Sequence, residues 1–242
     1  MPNSTPLKTQ AFTIAIKKYN QNPWYSRLEM VASVIIILLQ IMTTVTLFKS
    51  YTTTSLSIIL ITLLVTYIAT DFINGMVHMI VDNNANYTSC VGPFIAAFHL
   101  HHLKLNYQSK HALKIYFYES GHKLWLVFYL LVVFILQQTL HLTFCLNLCL
   151  VGIGFLSSIA ELSHFWCHNA AQTNAFIRWL QRCGILLSMQ HHKIHHQKDN
   201  RNYAFLNGVT NPLLNLIASL CCKGYKNRSD KYIADYKDPN PV

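Results

Sequence analysis

The sequence predicts an all-α integral membrane protein with about four transmembrane helices and a histidine-rich cap of short helices on the cytoplasmic side. Hydrophobic residues form 52% of the chain and charged residues only 12%, whereas about a quarter of the residues in soluble domains are charged. The hydrophobic residues are gathered into long uncharged runs, as membrane-spanning helices require. All of the His residues except His141 lie outside these runs.

Four apolar runs have about the length needed to cross the hydrocarbon core, which takes about 20 residues. The second is uncharged from Leu56 to Thr70 and continues through Asp71. The last two are halves of one stretch, 124–160, which we expect a tight turn near His141 to divide. The predicted spans are about residues 30–48, 56–77, 124–140 and 142–160. They form the membrane part of a predicted domain over residues 30–220.

The remaining segments are predicted to lie outside the hydrocarbon core. Shorter apolar stretches are expected to be interfacial or buried. These stretches are 91–100, 176–189 and 213–220. Residues 1–29 form a predicted N-terminal segment without a removable signal peptide, loosely ordered over residues 1–25. Residues 221–242 form a basic, polar C-terminal tail.

The distribution of basic residues predicts the orientation. Lysines and Arg27 accumulate from Lys8 onward before the first span, and only Lys49 follows it closely, so the N-terminus is predicted to be cytoplasmic. Four spans return the C-terminus to the same side, in a bacterial inner membrane or the endoplasmic reticulum. The basic residues, which give a net charge of +10, form no single stripe, so nucleic acid is not an expected partner.

Histidines recur at helical spacings in the segments that are predicted to be cytoplasmic. Residues three and four apart share a helix face, and imidazole is the commonest neutral metal ligand. The recurring residues are His78 with Asp82, His101 and His102 followed by His111, His164 with His168, and His192 with His195 and His196. The cap is therefore predicted to bind metal. We expect His99, His122 and His141 to be polar side chains at the interface.

The number of clustered His exceeds what one metal ion takes, since a catalytic zinc has at most three protein ligands. Two metal ions are therefore implied. The chain lacks the H-E-x-x-H motif of zinc peptidases, and haem ligands would lie inside the spans. A nitrogen-rich site with few carboxylates suits iron, although ligand type does not separate iron from zinc, manganese or copper.

The sequence offers no electron carrier of its own. Its seven Cys lack the spacing of an iron–sulfur site and are expected to be buried free thiols. A glycine-rich dinucleotide loop is also missing from the sequence. Electrons for any redox reaction would therefore come from another protein.

The order and spacing of these His groups resemble the plasmanylethanolamine desaturase family, which includes the plant plastid desaturase acting on phosphatidylglycerol. The similarity covers about residues 56–220. Its motifs are Asp71-Phe72-Ile73-Asn74-Gly75-Met76-Val77-His78 with Asp82, Phe98-His99-Leu100-His101-His102 with His111, Ser163-His164-Phe165-Trp166-Cys167-His168, Leu180-Gln181 to Leu187-Ser188, and His191-His192-Lys193-Ile194-His195-His196 to Tyr203, Gly208, Asn211 and Pro212.

The resemblance implies a membrane lipid desaturase with two iron ions, O₂ as co-substrate, a phospholipid substrate, and cytochrome b5 or ferredoxin as electron donor. The implied metal ligands are His78, His101, His102, His111, His164, His168, His192, His195 and His196. Asp82 and His191 are further candidates. We expect Asp71 and Glu161 to accept the second N–H of ligand rings. Candidate contacts to lipid phosphate are Lys104, Lys110, Lys193 and Arg201.

Three functions remain open at the level of sequence. The first is a desaturase that forms the vinyl ether bond of plasmalogens from an alkyl ether phospholipid. The second is the same machinery acting on an ordinary acyl chain. The third is a membrane protein that binds or transports metal without redox chemistry, although the clusters lie beyond the span ends rather than within the spans, which disfavours transport.

Overall fold

The structure, a computed structural model, describes residues 4–102, 111–169, 173–197 and 201–222. Within these ranges the secondary structure is helical and no strand occurs, as predicted. In chain order the helices are α1 (Ser4–Gln21), α2 (Pro23–Lys49), α3 (Leu56–Asp82), α4 (Gly92–Leu100), α5 (Ala112–His122), α6 (Leu124–Thr139), α7 (Phe144–His168), α8 (Ala175–Arg182), α9 (Met189–Gln197) and α10 (Asn211–Cys221).

Three helices, α2, α3 and α7, are each long and apolar enough to cross a membrane. The 16 residues of α6 rise only about 24 Å, less than the hydrocarbon core of about 30 Å. Helix α6 therefore reaches spanning length only together with α5, and the two are bent by 80°. The described residues thus contain three candidate spans, or four if the bent pair counts as one.

The spanning helices form a bundle around α2 and α7. Helix α3 packs against α7, and α2 packs against α5, α6 and α7. Ile36 of α2 is buried together with Leu126 and Leu130 of α6. By contrast, Ile61 and Leu64 on α3 are 61% and 59% exposed. Such apolar outer surfaces are expected of helices that face lipid, because lipid tails are as apolar as the side chains themselves.

Polar side chains inside the bundle are paired across helices. Gln40 on α2 donates to the Gly154 carbonyl and to Ser158 Oγ on α7, both at 3.1 Å. Near the first turn of α7, Asn147 donates to Ser50 Oγ, just after the end of α2, at 2.8 Å. Because an unpaired polar group is costly in apolar surroundings, these bonds fix the register of α2 against α7.

Helix α1 shows that the prediction of a loosely ordered N-terminal tail was wrong. Phe12, Ala15 and Ile16 are buried against α4, and their i, i+3, i+4 spacing is that of an amphipathic helix. The Tyr19 hydroxyl then bonds to the carboxylate of Glu29 on α2, at 2.8 and 2.9 Å. The sequence of this segment contains the apolar spacing of a helix, whereas its polar composition favours a loosely ordered tail.

Residues 201–210, which precede α10, fold back over the ends of α3 and α7. The backbone N–H of Leu187 donates to the Leu206 carbonyl at 2.9 Å, and Ser163 Oγ donates to the same carbonyl at 2.8 Å. A Cβ on Gly75 would lie 2.4 Å from Leu214 Cδ1 and 3.1 Å from the Ala204 Cα. Only glycine therefore lets this segment lie directly on α3.

The cysteines depart in part from expectation. The seven Cys are free thiols, as predicted. Cys167 is buried, but Cys90, Cys183 and Cys221 are exposed. The buried-thiol prediction therefore holds for Cys167 and is wrong for these three.

Candidate metal centre

Four His side chains converge at one end of the bundle, with one ligand atom from each lying within 4.8 Å of the others. They come from the end of α4, the last turn of α7 and α9. This set, the histidine group, comprises His101, His164, His168 and His196. His192, one turn before His196, adds its Nε2 at 2.8 Å from the His168 Nε2 and 2.9 Å from the His196 Nε2.

A second set surrounds one carboxylate. This aspartate group comprises His78, Asp82, His102 and His195, again with ligand atoms within 4.8 Å of one another. Asp82 Oδ2 lies 3.2 Å from His78 Nε2 and 3.5 Å from His195 Nε2. Asp82 Oδ1 lies 3.4 Å from His102 Nε2. The carboxylate of Asp82 is therefore shared by rings from three parts of the chain.

The two groups are adjacent because consecutive residues serve both. His101 belongs to the histidine group and His102 to the aspartate group, and their ring centroids are 4.2 Å apart. His196 and His195 are divided in the same way, with centroids 5.5 Å apart. Neighbouring residues on a helix point about 100° apart. Two consecutive His can therefore point their rings into two adjacent groups.

The residues present fit metal ions. Buried His78 Nε2, His101 Nε2 and both Asp82 oxygens have no hydrogen-bond partner among the described residues, although each such atom costs about 1–3 kcal/mol if unpaired. The His164 and His168 Nε2 atoms are 3.1 Å apart. Metal–nitrogen bonds of about 2.1 Å place neighbouring ligand nitrogens about 3 Å apart when they meet at a right angle. A cation in each group would satisfy these atoms.

Backbone carbonyls fix which ring nitrogen faces inward. His78 Nδ1 donates to the Tyr203 carbonyl and His195 Nδ1 to the Arg201 carbonyl, both at 2.8 Å. His101 Nδ1 donates to the Phe98 carbonyl. Since a carbonyl only accepts, the proton is on Nδ1 and the lone pair of each ring is on Nε2, which faces the groups. The sequence could not reveal these partners, because backbone carbonyls carry no side-chain signal.

Residues 67–220 match the sequence profile of the lipid desaturase domain. This range covers more than half of the chain and contains both groups. The chain belongs to the lipid desaturase domain family. No curated protein and no solved structure matches it. The family implies an oxidoreductase that desaturates lipids, in agreement with the apolar spanning helices.

Glu161 of this lipid desaturase lies where the sequence placed it, one turn before His164. Its Oε2 is 3.7 Å from His164 Nδ1. Its Oε1 is 3.0 Å from Lys123 Nζ. The carboxylate thus faces a ring of the histidine group on one side and a cation on the other.

Asp71 has a different role from the one expected. Its carboxylate accepts the backbone N–H groups of Asn207, Gly208 and Thr210, at 3.0 to 3.1 Å, and the Thr210 hydroxyl at 2.6 Å. Gly208 has a φ of 82°, a conformation that glycine adopts without strain. Asp71 therefore holds the turn before α10, and the ligand rings take their outer hydrogen bonds elsewhere.

Two His that the lipid desaturase resemblance marked do not join either group. His111 is exposed at the start of α5, and its Nδ1 accepts the backbone N–H of Leu113 at 3.4 Å. His191 Nε2 lies 2.8 Å from Asn211 Nδ2. His111 lies on a different element from His101 and His102, so its spacing from them does not determine which way its ring faces. His191 points about 100° away from His192 on α9.

The three His expected at the interface differ from one another. His141 and His122 are exposed. His99 is buried, which makes the surface prediction wrong for this residue. Its Nδ1 lies 2.8 Å from the Tyr87 hydroxyl and its Nε2 lies 3.0 Å from the Val81 carbonyl. His99 thereby joins α4 to the end of α3.

The basic residues predicted to contact lipid phosphate are only partly described. Lys193 and Arg201 are exposed. Lys104 and Lys110 lie outside the described residues. The Arg201 carbonyl bonds to the ring of His195, so the backbone of Arg201 adjoins the aspartate group.

Burial favours the uncharged form of four ligand rings outside the spans. It lowers the pKa of His101 to about 4. The pKa values of His102, His192 and His196 are also lowered, first by burial and then by the neighbouring imidazoles. Charged imidazolium is disfavoured in such a site. Because metals bind the neutral ring, these rings are ready to bind at neutral pH.

The lowered pKa values predict that metal-free protein loses stability in acid. An unfolded His binds its proton near pH 6.5, whereas folded His101 does so only near pH 4. Each pH unit between these values should therefore reduce the free energy of unfolding by up to about 1.4 kcal/mol per such His. Thermal unfolding of chelator-treated protein in detergent at pH 7.5, 6 and 5 measures this. The dependence should be weaker in His101→Asn, and identical slopes would contradict the explanation.

Proposed function

We propose that the protein is a di-iron lipid desaturase of the plasmanylethanolamine desaturase type, which forms the vinyl ether bond of a plasmalogen from an alkyl ether phospholipid. The observation that carries the proposal is the pair of adjacent ligand groups inside the lipid desaturase domain. Imidazole-rich sites with few carboxylates suit iron. The proposed ligands are the histidine group with His192 and the aspartate group. His111 is not included.

The reaction needs a metal because the two carbons that lose hydrogen are unactivated and no side-chain acid or base can act on them. Bound iron would supply an oxidant derived from O₂. One O₂, two electrons, two protons and the two hydrogens of the lipid chain balance to two waters and one carbon–carbon double bond. The protein must therefore hold the metal ions, exclude water and admit one lipid chain.

The residues around the two groups perform these tasks. The carbonyl bonds to His78, His101 and His195 keep their Nε2 atoms turned inward. The ring of Phe205 lies 5.3 Å from the His78 ring and 5.4 Å from the His164 ring, between the two groups. Such an apolar wall keeps water out and strengthens electrostatic interactions inside.

The proposed setting is the cytoplasmic surface of the membrane, with both termini on that side, in a bacterial inner membrane or the endoplasmic reticulum. Helix α9 carries His195 on its buried face and Lys193 on its exposed face. A negatively charged electron donor, such as cytochrome b5 or ferredoxin, would meet Lys193 and Arg201 there. Electrons would then enter at the exposed face of α9, whose opposite face carries the proposed ligand His195.

Lipid analysis tests the proposed function. The protein would be expressed in a host that lacks vinyl ethers and is fed an alkylglycerol. We expect phospholipids that release a fatty aldehyde in acid, which marks the vinyl ether. New double bonds in ester-linked chains would instead support the acyl-chain desaturase. If neither product forms although metal is bound and an electron donor is present, the proposal is contradicted, and the metal-binding or transport function remains.

A further inference from the structure

A buried lysine lies at the junction of α5 and α6, beneath the two groups. Lys123 is only 7% exposed, and lysines are almost never buried unless they are paired. Its Nζ donates to Asn74 Oδ1 and to the Ser157 carbonyl, both at 2.7 Å, and lies 3.0 Å from Glu161 Oε1. An ionisable residue buried in a membrane protein is usually functional.

The first connection of Lys123 leads to the histidine group. Glu161 stands between the cation and the His164 ring, with one oxygen 3.0 Å from Lys123 Nζ and the other 3.7 Å from His164 Nδ1. The opposite nitrogen of this ring, Nε2, is 3.1 Å from His168 Nε2. A carboxylate behind a metal-binding imidazole orients the ring and increases its basicity.

The second connection of Lys123 leads to the aspartate group. Asn74, which accepts from Lys123, lies one turn before His78 on α3. Asn74 also donates to Ser157 Oγ on α7 at 2.9 Å. Lys123 Nζ further lies 4.8 Å from the centroid of the Phe205 ring, which touches rings of both groups. One cation thus joins the helix that carries His78 to the helix that carries His164.

We propose that Lys123 is a positioning residue for the metal centre. Through Glu161 it holds the His164 ring with Nε2 turned inward, and through Asn74 and Ser157 it sets the spacing of α3 and α7. Without the cation, the carboxylate of Glu161, whose side chain is only 13% exposed, would lose its nearest positive charge and would turn away from His164. The inference rests on the proposed two-metal function.

Cobalt binding to metal-free protein in detergent tests this role without measuring activity. Wild-type protein should bind two Co²⁺ ions per chain, each giving visible absorption. Glu161→Gln keeps the shape of the side chain and removes its charge, and Lys123→Met removes the cation. In both variants we expect the ion in the histidine group to bind about 10- to 100-fold more weakly, with an altered absorption band. The other ion should keep its affinity in Glu161→Gln and should lose less affinity than the first ion in Lys123→Met, where the contacts to Asn74 and Ser157 are also lost. Lys123→Arg, which preserves the cation, should restore most of the affinity.

The control is Asn147→Leu, on the same helix as Glu161 but about 21 Å away along it. Asn147 is also buried, at 2% exposure, and is bonded to Ser50 and Gln137. This variant should lower the unfolding temperature and leave both Co²⁺ affinities unchanged. Two ions bound with wild-type affinity in Glu161→Gln and Lys123→Met would overturn the inference alone, as would equal weakening of both ions. Fewer than two ions in wild-type protein would overturn the proposed function as well.

Discussion

His101→Ala should abolish desaturation, lowering product formation by at least about 100-fold, while the protein remains folded. Loss of a residue that merely orients a ligand already costs about 10- to 100-fold, and His101 Nε2 is itself turned into the histidine group without another partner among the described residues. The change removes one crowded, uncharged ring and creates no buried charge. Product formation in membranes and iron per purified chain are the measurements.

His99→Ala is the matched control for this prediction. His99 lies two residues away, is fully buried, and bonds to Tyr87 and the Val81 carbonyl rather than facing either group. Its loss should lower the unfolding temperature while iron stoichiometry is kept. An active His101→Ala protein with two iron ions would remove His101 from the ligand set.

Asp82→Asn should have opposite effects on function and stability. The substitution keeps the shape of the side chain but removes the charge that faces three rings of the aspartate group, so we expect iron to fall to about one ion per chain and activity to disappear. The metal-free variant should nevertheless unfold at a higher temperature than metal-free wild type, because a buried carboxylate without a hydrogen-bond donor is costly. Iron analysis and thermal unfolding of chelator-treated proteins measure both effects.

Asp71→Asn provides the comparison on the same helix. Its carboxylate receives several donors from the turn before α10, and an amide can accept fewer of them. Stability should therefore decrease in Asp71→Asn, the reverse of the change in Asp82→Asn. If the two variants shifted the unfolding temperature in the same direction, the difference drawn between these carboxylates would be untenable.

Three of the four predicted spans, and the clustering of His that could hold metal, could be predicted from the sequence because they depend on local features. The predicted span 124–140 is too short by itself and reaches spanning length only together with α5. Uncharged length identifies helices that can cross a membrane, and His at i, i+4 share a helix face wherever a helix forms. His164 and His168 on α7, and His192 and His196 on α9, are brought together in this way. Local periodicity therefore carried most of the fold and the main pairs of the site.

Features that depend on contacts between distant segments could not be predicted from the sequence. Asp71 and Asp82 lie about three turns apart on one face of α3, and periodicity alone does not tell which of them meets the rings and which meets the turn before α10. Lys123 stands at the start of an uncharged run, where a lysine is ordinarily an interfacial anchor. Only the packing of α3 against α7 shows that its side chain turns inward.

The division of consecutive His between the two groups ties the geometry of each group to that of the other. A one-residue insertion or deletion within α9 ahead of His195 and His196 would rotate both rings about the helix axis by about 100° and turn each away from its own group. His101 and His102, which directly follow α4, are divided between the groups in the same way. A change at either pair of His therefore alters both groups at once, and neither group can be rebuilt without disturbing the other.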